Sequence, residues 1–266
     1  MTEIFIAFMK EAQFTNEMLC AGYTQIREAN FSRKGIYFQA FTSLSTGYER
    51  IGKMCLLLDY AINNNGNFPD IKYLKTIGHN IEEIYKKLEE IKESYKFNFS
   101  YLQNLADPVF ENIIKILSRF GCGERYTNID LLVNAKNYED PINEWYLNID
   151  NYFLHNHIKQ KKVEKIIEQA RFCNTLMTDS TSVLFVDETG SEINNMYDMY
   201  LRNNINTLVG KYRQLYIYRM SRYFIELLIN LEKQIGRKNI EVPDFWEIFK
   251  LFNCSDDFAK ARKVIK

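Results

Sequence analysis

The chain has 266 residues, enough to bury a large core as one big domain or two small ones. Hydrophobic residues make up 46% of it and charged residues 26%, a composition that excludes an intrinsically disordered chain. Lys+Arg and Asp+Glu balance at 34 each, so the chain has no net charge to attract nucleic acid or acidic lipid, and any such attraction must come from a local patch.

The four prolines and eleven glycines are too few for a β-sandwich or barrel, which turns about every ten residues. We therefore predict an all-α fold, an elongated up-and-down bundle of long helices with at most a minor β element near 183–186. It is expected to form a single helical domain over residues 1–266. A boundary within it would fall at 96–125 and separate 1–95 from 107–266.

Cysteine usage and the N-terminal sequence indicate a cytoplasmic protein. The five cysteines are Cys20, Cys55, Cys122, Cys173 and Cys254. They lie more than thirty residues apart and no pair has the spacing of a zinc site, so we predict neither a metal site nor a cofactor. The N-terminal stretch carries Glu3, Lys10 and Glu11, which is typical of an amphipathic helix rather than a leader peptide. No stretch approaches the roughly 20 apolar residues that cross a bilayer, so no membrane contact is expected.

The first two helices are predicted from apolar side chains that recur every three or four residues, over 2–29 and over 34–63. Gly47 and Gly52 lie inside the second helix, where each weakens a helix by about 1 kcal/mol relative to Ala. Close packing against a neighbouring helix is a reason for glycine at both positions. The run of asparagines and glycine over 63–67 then ends the helix.

A third helix is predicted over 69–95 as one continuous amphipathic segment that begins at a proline. A shorter helix begins at Asp107-Pro108 and ends near Arg119. Gly121 and Gly123 follow it, and we interpret them as a helix C-terminal turn rather than a phosphate-binding loop, since no strand precedes them.

The remaining predicted elements are, in chain order, a short segment over 129–133, a long helix from Asp140 toward Met177, a strand-like segment over 183–186, a final helix over 192–234 with a bend at Gly210, and a short helix over 244–252. His155 and His157 fall within the long helix. Residues two apart on a helix point about 200° away from each other, so we do not expect both rings to bind one metal ion.

An aromatic and basic stripe lies within the final helix. Tyr216, Arg219 and Tyr223 fall on one helical face, with Arg213 and Arg222 beside them. Such faces stack bases and hold phosphates, so these five side chains are candidate nucleic-acid contacts. The alternative is a tyrosine-rich core stripe with arginines reaching from its edge to solvent, which we favour because the chain is neutral overall.

The most specific feature joins the second and third helices. Glu49 and Lys53 lie one turn apart with Arg50 beside them, and His79 follows the asparagine loop. Antiparallel helices joined by a short loop bring together residues equally far from it, so Glu49, Lys53 and His79 are predicted to meet. An imidazole beside a carboxylate and an ammonium titrates near neutral pH or binds an anion, which makes the four residues a candidate catalytic site. The alternative, which we favour, is a network that fixes helix register.

The sequence Glu-Arg-Ile-Gly-Lys-Met at 49–54, a polar turn, and Leu-Lys-Thr-Ile-Gly-His-Asn at 74–80 resemble helical HEPN-type proteins, which occur in bacterial toxin and antiphage systems. The resemblance covers residues 36–92. It implies an up-and-down bundle, dimerisation and, in many members, metal-independent RNA cleavage by an arginine followed by roughly four to six residues and a histidine. No arginine precedes any of the three histidines at that distance, so the resemblance carries over the fold and not the catalytic residues.

These observations support three functional hypotheses. We favour a non-catalytic or catalytically diverged HEPN-like protein that binds a protein or nucleic-acid partner in bacterial defence. The second hypothesis is a metal-independent ribonuclease in which His79 transfers the proton and Arg50 or Lys53 stabilises the phosphate charge. The third is a structural assembly protein whose aromatic side chains form oligomer interfaces, in line with the homodimer that the resemblance implies.

Overall fold

A computed structural model describes residues 1–135, 139–177 and 184–264 of the chain. Over these residues the fold is an all-α helical bundle with a small two-stranded sheet, which confirms the predicted fold class. The helices are α1 Glu3–Glu28, α2 Lys34–Asn63, α3 Ile71–Ile77, α4 Ile81–Tyr95, α5 Pro108–Cys122, α6 Thr127–Leu132, α7 Pro141–Trp145, α8 Asn151–His157, α9 Gln160–Met177, α10 Met196–Gly236, α11 Phe245–Ile248 and α12 Asp256–Ala261. The strands are β1 Phe185–Val186 and β2 Glu192–Ile193.

Helices α1 and α2 pack as an antiparallel pair, and their bounds match the predicted ranges closely. A Cβ atom added at Gly47 would lie 2.8 Å from Leu19 Cδ2 of α1. A Cβ atom added at Gly52 would overlap Ile84 Cγ2 of α4. Both glycines therefore allow close helix contacts, as their position in the sequence predicted.

The 41-residue helix α10 is the central element of the bundle and is about 60 Å long. It packs against α1, α2, α8, α9 and α12, so its middle part is buried around most of its circumference. The Tyr48 hydroxyl of α2 donates a hydrogen bond to the Ile217 carbonyl oxygen at 3.0 Å. The Tyr23 hydroxyl of α1 donates one to the Ala259 carbonyl oxygen at 2.5 Å, which ties the two ends of the described chain together.

The predicted continuous helix over 69–95 is instead two helices, α3 and α4, separated by Gly78, His79 and Asn80. Gly78 has φ +67° and ψ −149°, a conformation that L side chains rarely adopt. Asn80 has extended backbone angles, and its side-chain oxygen accepts a hydrogen bond from Glu83 N at 3.1 Å, which begins α4. The apolar spacing continues across this break, so periodicity alone did not reveal it.

The predicted long helix from Asp140 toward Met177 is also interrupted. A π-helical turn at Tyr146–Asp150 links α7 to α8. Ile158 then has extended backbone angles of φ −102° and ψ 124°, and α9 begins two residues later. The extra residue of a π turn shifts the side chains that follow around the helix axis. In this chain Asp150, at the end of the turn, is buried.

The strand-like segment forms a small antiparallel hairpin in which Phe185 lies opposite Ile193. Val183, the first residue of the predicted strand, lies outside the described residues. Because β2 occupies 192–193, α10 begins at Met196 and not at the predicted start of the final helix. The predicted tail helix over 244–252 is divided into α11 and a 3-10 turn at Lys250–Phe252. Among the helices of the described residues, none combines the length and apolar character needed to cross a membrane.

Candidate functional site

The predicted polar cluster lies where α2 passes the turn between α3 and α4. Glu49 Oε1 accepts a hydrogen bond from Lys53 Nζ at 2.7 Å, one turn further along α2. His79 Nδ1 lies 2.9 Å from the same oxygen of Glu49. The structure therefore brings these three residues together, with His79 in a turn rather than on a helix.

Arg50, the fourth residue of the predicted catalytic site, contacts α1 instead. Its Nη1 atom lies 2.7 Å from Glu11 Oε1. Both side chains of this ion pair are more than a third exposed, at 39% and 36%, so the pair adds little to stability. The guanidinium group of Arg50 is therefore held toward α1 and does not join the imidazole of His79.

The electrostatics of the cluster are close to balanced. The Glu49 carboxylate contacts both the ammonium of Lys53 and the imidazole of His79, so the positive charge of Lys53 is paired rather than free. The side chain of His79 is 71% exposed, and its ring is open to solvent. An imidazole oriented by a carboxylate is able to transfer protons, but the group that it would activate must also be present.

The thiol of Cys122, at the end of α5, does not provide that group. Burial raises the pKa of Cys122, and the carboxylates of Glu49, Glu82 and Glu124 raise it further. A nucleophilic cysteine needs a lowered pKa, because the thiolate is the reactive form. The surroundings of Cys122 therefore stabilise the unreactive thiol.

An apolar groove adjoins the polar cluster between α1, α2 and α3, and we call it the α1–α3 groove. Its volume is about 310 Å³. The apolar residues that line it are Ala7, Phe8, Met54, Leu57 and Leu74. Glu11, Arg50 and Lys53 form its charged part, and all three are engaged in the ion pairs described above. The groove thus combines an apolar floor with a rim of paired charges.

The predicted nucleic-acid residues of α10 do not form an open surface. Tyr216 is 4% exposed and Tyr223 is 1% exposed, and both belong to the hydrophobic core. Arg219 Nη2 lies 2.6 Å from Asp256 Oδ2, and Arg222 pairs with the other oxygen of the same carboxylate. The tyrosines of the stripe therefore belong to the core, and the two arginines are ion-paired at its edge, with Arg222 buried rather than reaching solvent.

Arg213, the fifth residue of that stripe, is completely buried in a polar network that sequence reasoning did not find. Its Nε and Nη2 atoms donate to the two oxygens of Asp150 at 2.6 and 2.5 Å. Further hydrogen bonds go to the Ala29 carbonyl oxygen and to Asn206 Oδ1, both at 2.6 Å. Asn206 Nδ2 in turn donates to Glu188 Oε1 at 3.0 Å. A buried arginine requires such acceptors, but no spacing in the sequence identifies which residues supply them.

No protein-family description, curated protein or solved structure matches this chain. Within the described ranges, no group of three or more histidine, cysteine, aspartate or glutamate side chains is arranged to hold a metal ion. The function of the protein must therefore be inferred from the geometry of the polar cluster and of the α1–α3 groove.

Proposed function

We propose that this chain is a non-catalytic helical binding protein of HEPN-like architecture, and that its partner is a protein. The partner docks an apolar segment, flanked by charged residues, in the α1–α3 groove. The observation that supports this proposal is the apolar floor formed by Phe8, Met54, Leu57 and Leu74 beneath a rim of paired charges. Apolar contact provides affinity at such sites, and charges at the rim select the partner and its orientation.

A protein partner fits the groove better than a nucleic acid. A protein binds a phosphate backbone more tightly when its unpaired lysine and arginine side chains displace the counterions around the phosphates. Arg50 and Lys53 are already paired with Glu11 and Glu49, so they would have to give up these contacts. The tyrosines of α10 that would stack bases are buried in the core.

The groove hypothesis is tested by filling the groove from α1. Ala7 is exposed and lines the groove, so Ala7→Trp should block it without disturbing the core. Gln13→Trp adds the same side chain at an exposed position elsewhere on α1 and is the matched control. A photo-crosslinking amino acid at Leu57 should form a protein adduct in extracts of the source cells, and Ala7→Trp should abolish this adduct while Gln13→Trp preserves it.

Two results would contradict the groove hypothesis. One is an adduct that persists in the Ala7→Trp background, which would place the contact outside the groove. The other is an adduct that disappears on nuclease treatment, which would identify the partner as a nucleic acid. Crosslinking at the exposed Lys165 of α9 measures the background of non-specific adducts.

A ribonuclease centred on His79 is a second candidate function, supported by the 2.9 Å contact between His79 Nδ1 and Glu49 and by the exposed ring. For this function, His79→Ala should lower RNA cleavage in the presence of a chelator by about 10²–10⁴-fold, the usual contribution of a general acid or base. His155→Ala is the control, because His155 lies on α8 and bonds a backbone carbonyl. Equal cleavage by wild type and His79→Ala, or none by either, contradicts a catalytic His79.

Self-assembly is a third candidate, supported by helix α6. The exposed apolar side chains at this helix are Ile129, Leu131, Leu132 and Val133, with exposed fractions of 59%, 51%, 84% and 67%. Within α6 itself Thr127 alone is buried. A cluster of exposed apolar side chains in one short segment is typical of an interface between proteins. A homodimer that covers α6 on both copies would remove it from water.

A further inference from the structure

A second concave site lies far along the chain from the α1–α3 groove, and we call it the Trp246 cleft. It is formed by the C-terminal half of α10, the segment 98–101 that follows α4, and the segment from α11 to Asn253. Its volume is about 330 Å³. Ligand pockets usually measure about 300–1,000 Å³, so the cleft is suited to a small molecule.

Two aromatic rings of the cleft are left half exposed. Trp246 is 47% exposed and Tyr101 is 49% exposed, and they come from segments far apart in the sequence. Tyr101 is held in place, because its hydroxyl donates to Asn253 Oδ1 at 2.6 Å and the Arg222 guanidinium lies 4.5 Å from its ring centroid. A planar ligand that covers such exposed rings lowers the free energy of the complex by removing apolar surface from water and by stacking.

Three polar side chains that line the cleft have groups available to a ligand. Lys233 is exposed and forms no ion pair within the part of the chain that the structure describes. Asn98 is also exposed, with an amide that makes no hydrogen bond to any described residue. Asn230 uses its amide nitrogen to donate to the Glu226 carbonyl oxygen at 2.8 Å, which leaves its side-chain oxygen as an acceptor.

A buried donor and a buried acceptor lie in the wall of the same cleft. Arg222 is 7% exposed, and its Nε atom has no hydrogen-bond partner among the described residues. Glu226, one turn further along α10, uses one carboxylate oxygen to accept from Ser100 N, and its other oxygen is buried without a described partner. Buried polar atoms in native proteins are nearly always satisfied by protein groups or by ordered water, so this pair makes the wall of the cleft polar.

From these features we infer that the Trp246 cleft binds a small planar aromatic anion. The ring packs on Trp246 and Tyr101, and the anionic group pairs with Lys233. Lys233 lies seven residues beyond Glu226 on α10, or about 10 Å along the helix, so the anion is kept away from that carboxylate. Asn98 and Asn230 hydrogen-bond the polar edge of the ring. This site is independent of the proposed partner groove.

The inference is tested with ligands that carry the aromatic ring, the anionic group, or both. Adenosine 5′-monophosphate and nicotinate carry both features and represent the two sources of this chemistry, a nucleotide and an aromatic carboxylic acid. Adenosine and nicotinamide carry a ring without the charge, and ribose 5-phosphate carries the charge without an aromatic ring. In calorimetric titrations of the full chain, at least one of the two aromatic anions should bind, about tenfold or more tighter than its uncharged counterpart and than ribose 5-phosphate.

Tryptophan fluorescence gives a second readout of the same binding. The chain has two tryptophans, and Trp145 is 0% exposed, so iodide should quench Trp246 selectively. The aromatic anion that binds should protect Trp246 from iodide. Lys233→Gln should remove the preference for the charged ligand, and Trp246→Ala should weaken binding about tenfold or more. Lys238→Gln, an exposed lysine just beyond α10, should leave binding unchanged.

Three results would overturn the inference. The first is the absence of binding by both aromatic anions at concentrations of about 10 mM. The second is binding of ribose 5-phosphate as tight as that of the better aromatic anion, which would leave the rings without a role. The third is binding that neither Lys233→Gln nor Trp246→Ala changes, which would place the ligand outside the cleft.

Discussion

Arg213 and Asp150 form an ion pair inside the bundle, where the removal of either partner would leave a buried charge. Arg213 is 0% exposed, and its four hydrogen bonds join the π turn, α10 and the end of α1 in one network. Desolvation offsets much of the attraction in such pairs, so they often add little net stability. Removing one partner alone is costly, because it leaves the other charge buried without compensation.

His157 illustrates how the same core affects a titratable group. Its ring stacks on Tyr212, with centroids 4.7 Å apart, and its Nε2 atom lies 3.0 Å from the Tyr216 hydroxyl. Burial lowers the pKa of His157 and the positive charge of Arg219 lowers it further; Asp107 raises it, and the effect of Lys260, which lowers it, is the smallest of the four. The folded state therefore disfavours the protonated imidazole.

This lowered pKa predicts a loss of stability in mild acid. As the pH falls below about 6.5, the unfolded chain takes up a proton at His157 before the folded chain does, which favours unfolding. The free energy of unfolding from urea titrations should therefore fall between pH 7.5 and 5.5 more steeply for wild type than for His157→Phe, which keeps the stacked ring. Identical pH slopes for the two proteins would show that His157 does not contribute.

At the residue scale, the sequence predicted which residues meet between α2 and the turn before α4, but not all of their partners. The meeting of Lys53 and His79 at Glu49 followed from their equal distance from the asparagine loop. The pairing of Arg50 with Glu11 could not be predicted in this way, because that contact depends on how α1 lies against α2. The burial of Tyr216 depends on how many neighbours surround α10, and this number is a property of the tertiary structure.

Gly210 shows how one residue sets the distance between two helices. Helix α10 continues through this position, where a Cβ atom would overlap the carbonyl oxygen of Arg27 in α1. Gly210→Ala should therefore lower the free energy of unfolding by about 1–3 kcal/mol, although alanine is the better helix former.

Gly35 provides the matched control for this prediction. It lies near the start of α2, and a Cβ atom there would meet no atom within 4 Å apart from its chain neighbours and the backbone of its own helix. Gly35→Ala should leave the free energy of unfolding unchanged or raise it by up to about 1 kcal/mol. Urea titrations of both variants compare the two effects directly. Equal stability of the two variants would show that α1 and α10 separate without penalty.

At the element scale, long helices with uninterrupted apolar spacing were predicted well, and breaks within them were not. The bounds of α2 match the prediction because an asparagine-rich turn marks its end. The break at Gly78 and the extended Ile158 lie inside segments whose periodicity continues. The positions of these breaks depend on capping hydrogen bonds, such as the one that the Asn80 side chain accepts, and on packing between helices. The spacing of apolar residues contains information about neither.

For the whole molecule, the exposed patch on α6 predicts self-association. Light scattering should give a mass that rises from monomer to dimer with concentration. Leu132→Glu should keep the protein monomeric, because it places a charge at the most exposed apolar position of the patch. Leu184→Glu changes a leucine that is 80% exposed beside the hairpin and should preserve the dimer. A wild-type mass that stays monomeric at all concentrations would contradict assembly through α6.

The contact between Tyr23 and Ala259 has a consequence for the order of folding. The two residues are 236 positions apart, so the hydroxyl of Tyr23 has no native acceptor until nearly all of the chain has been synthesised. The α1–α2 pair is local and forms early, whereas the docking of α12 closes a very long loop. A ribosome-bound chain that ends before α10 would therefore expose the inner face of α1 and α2, and chaperones would be expected to bind it there until the rest of the bundle arrives.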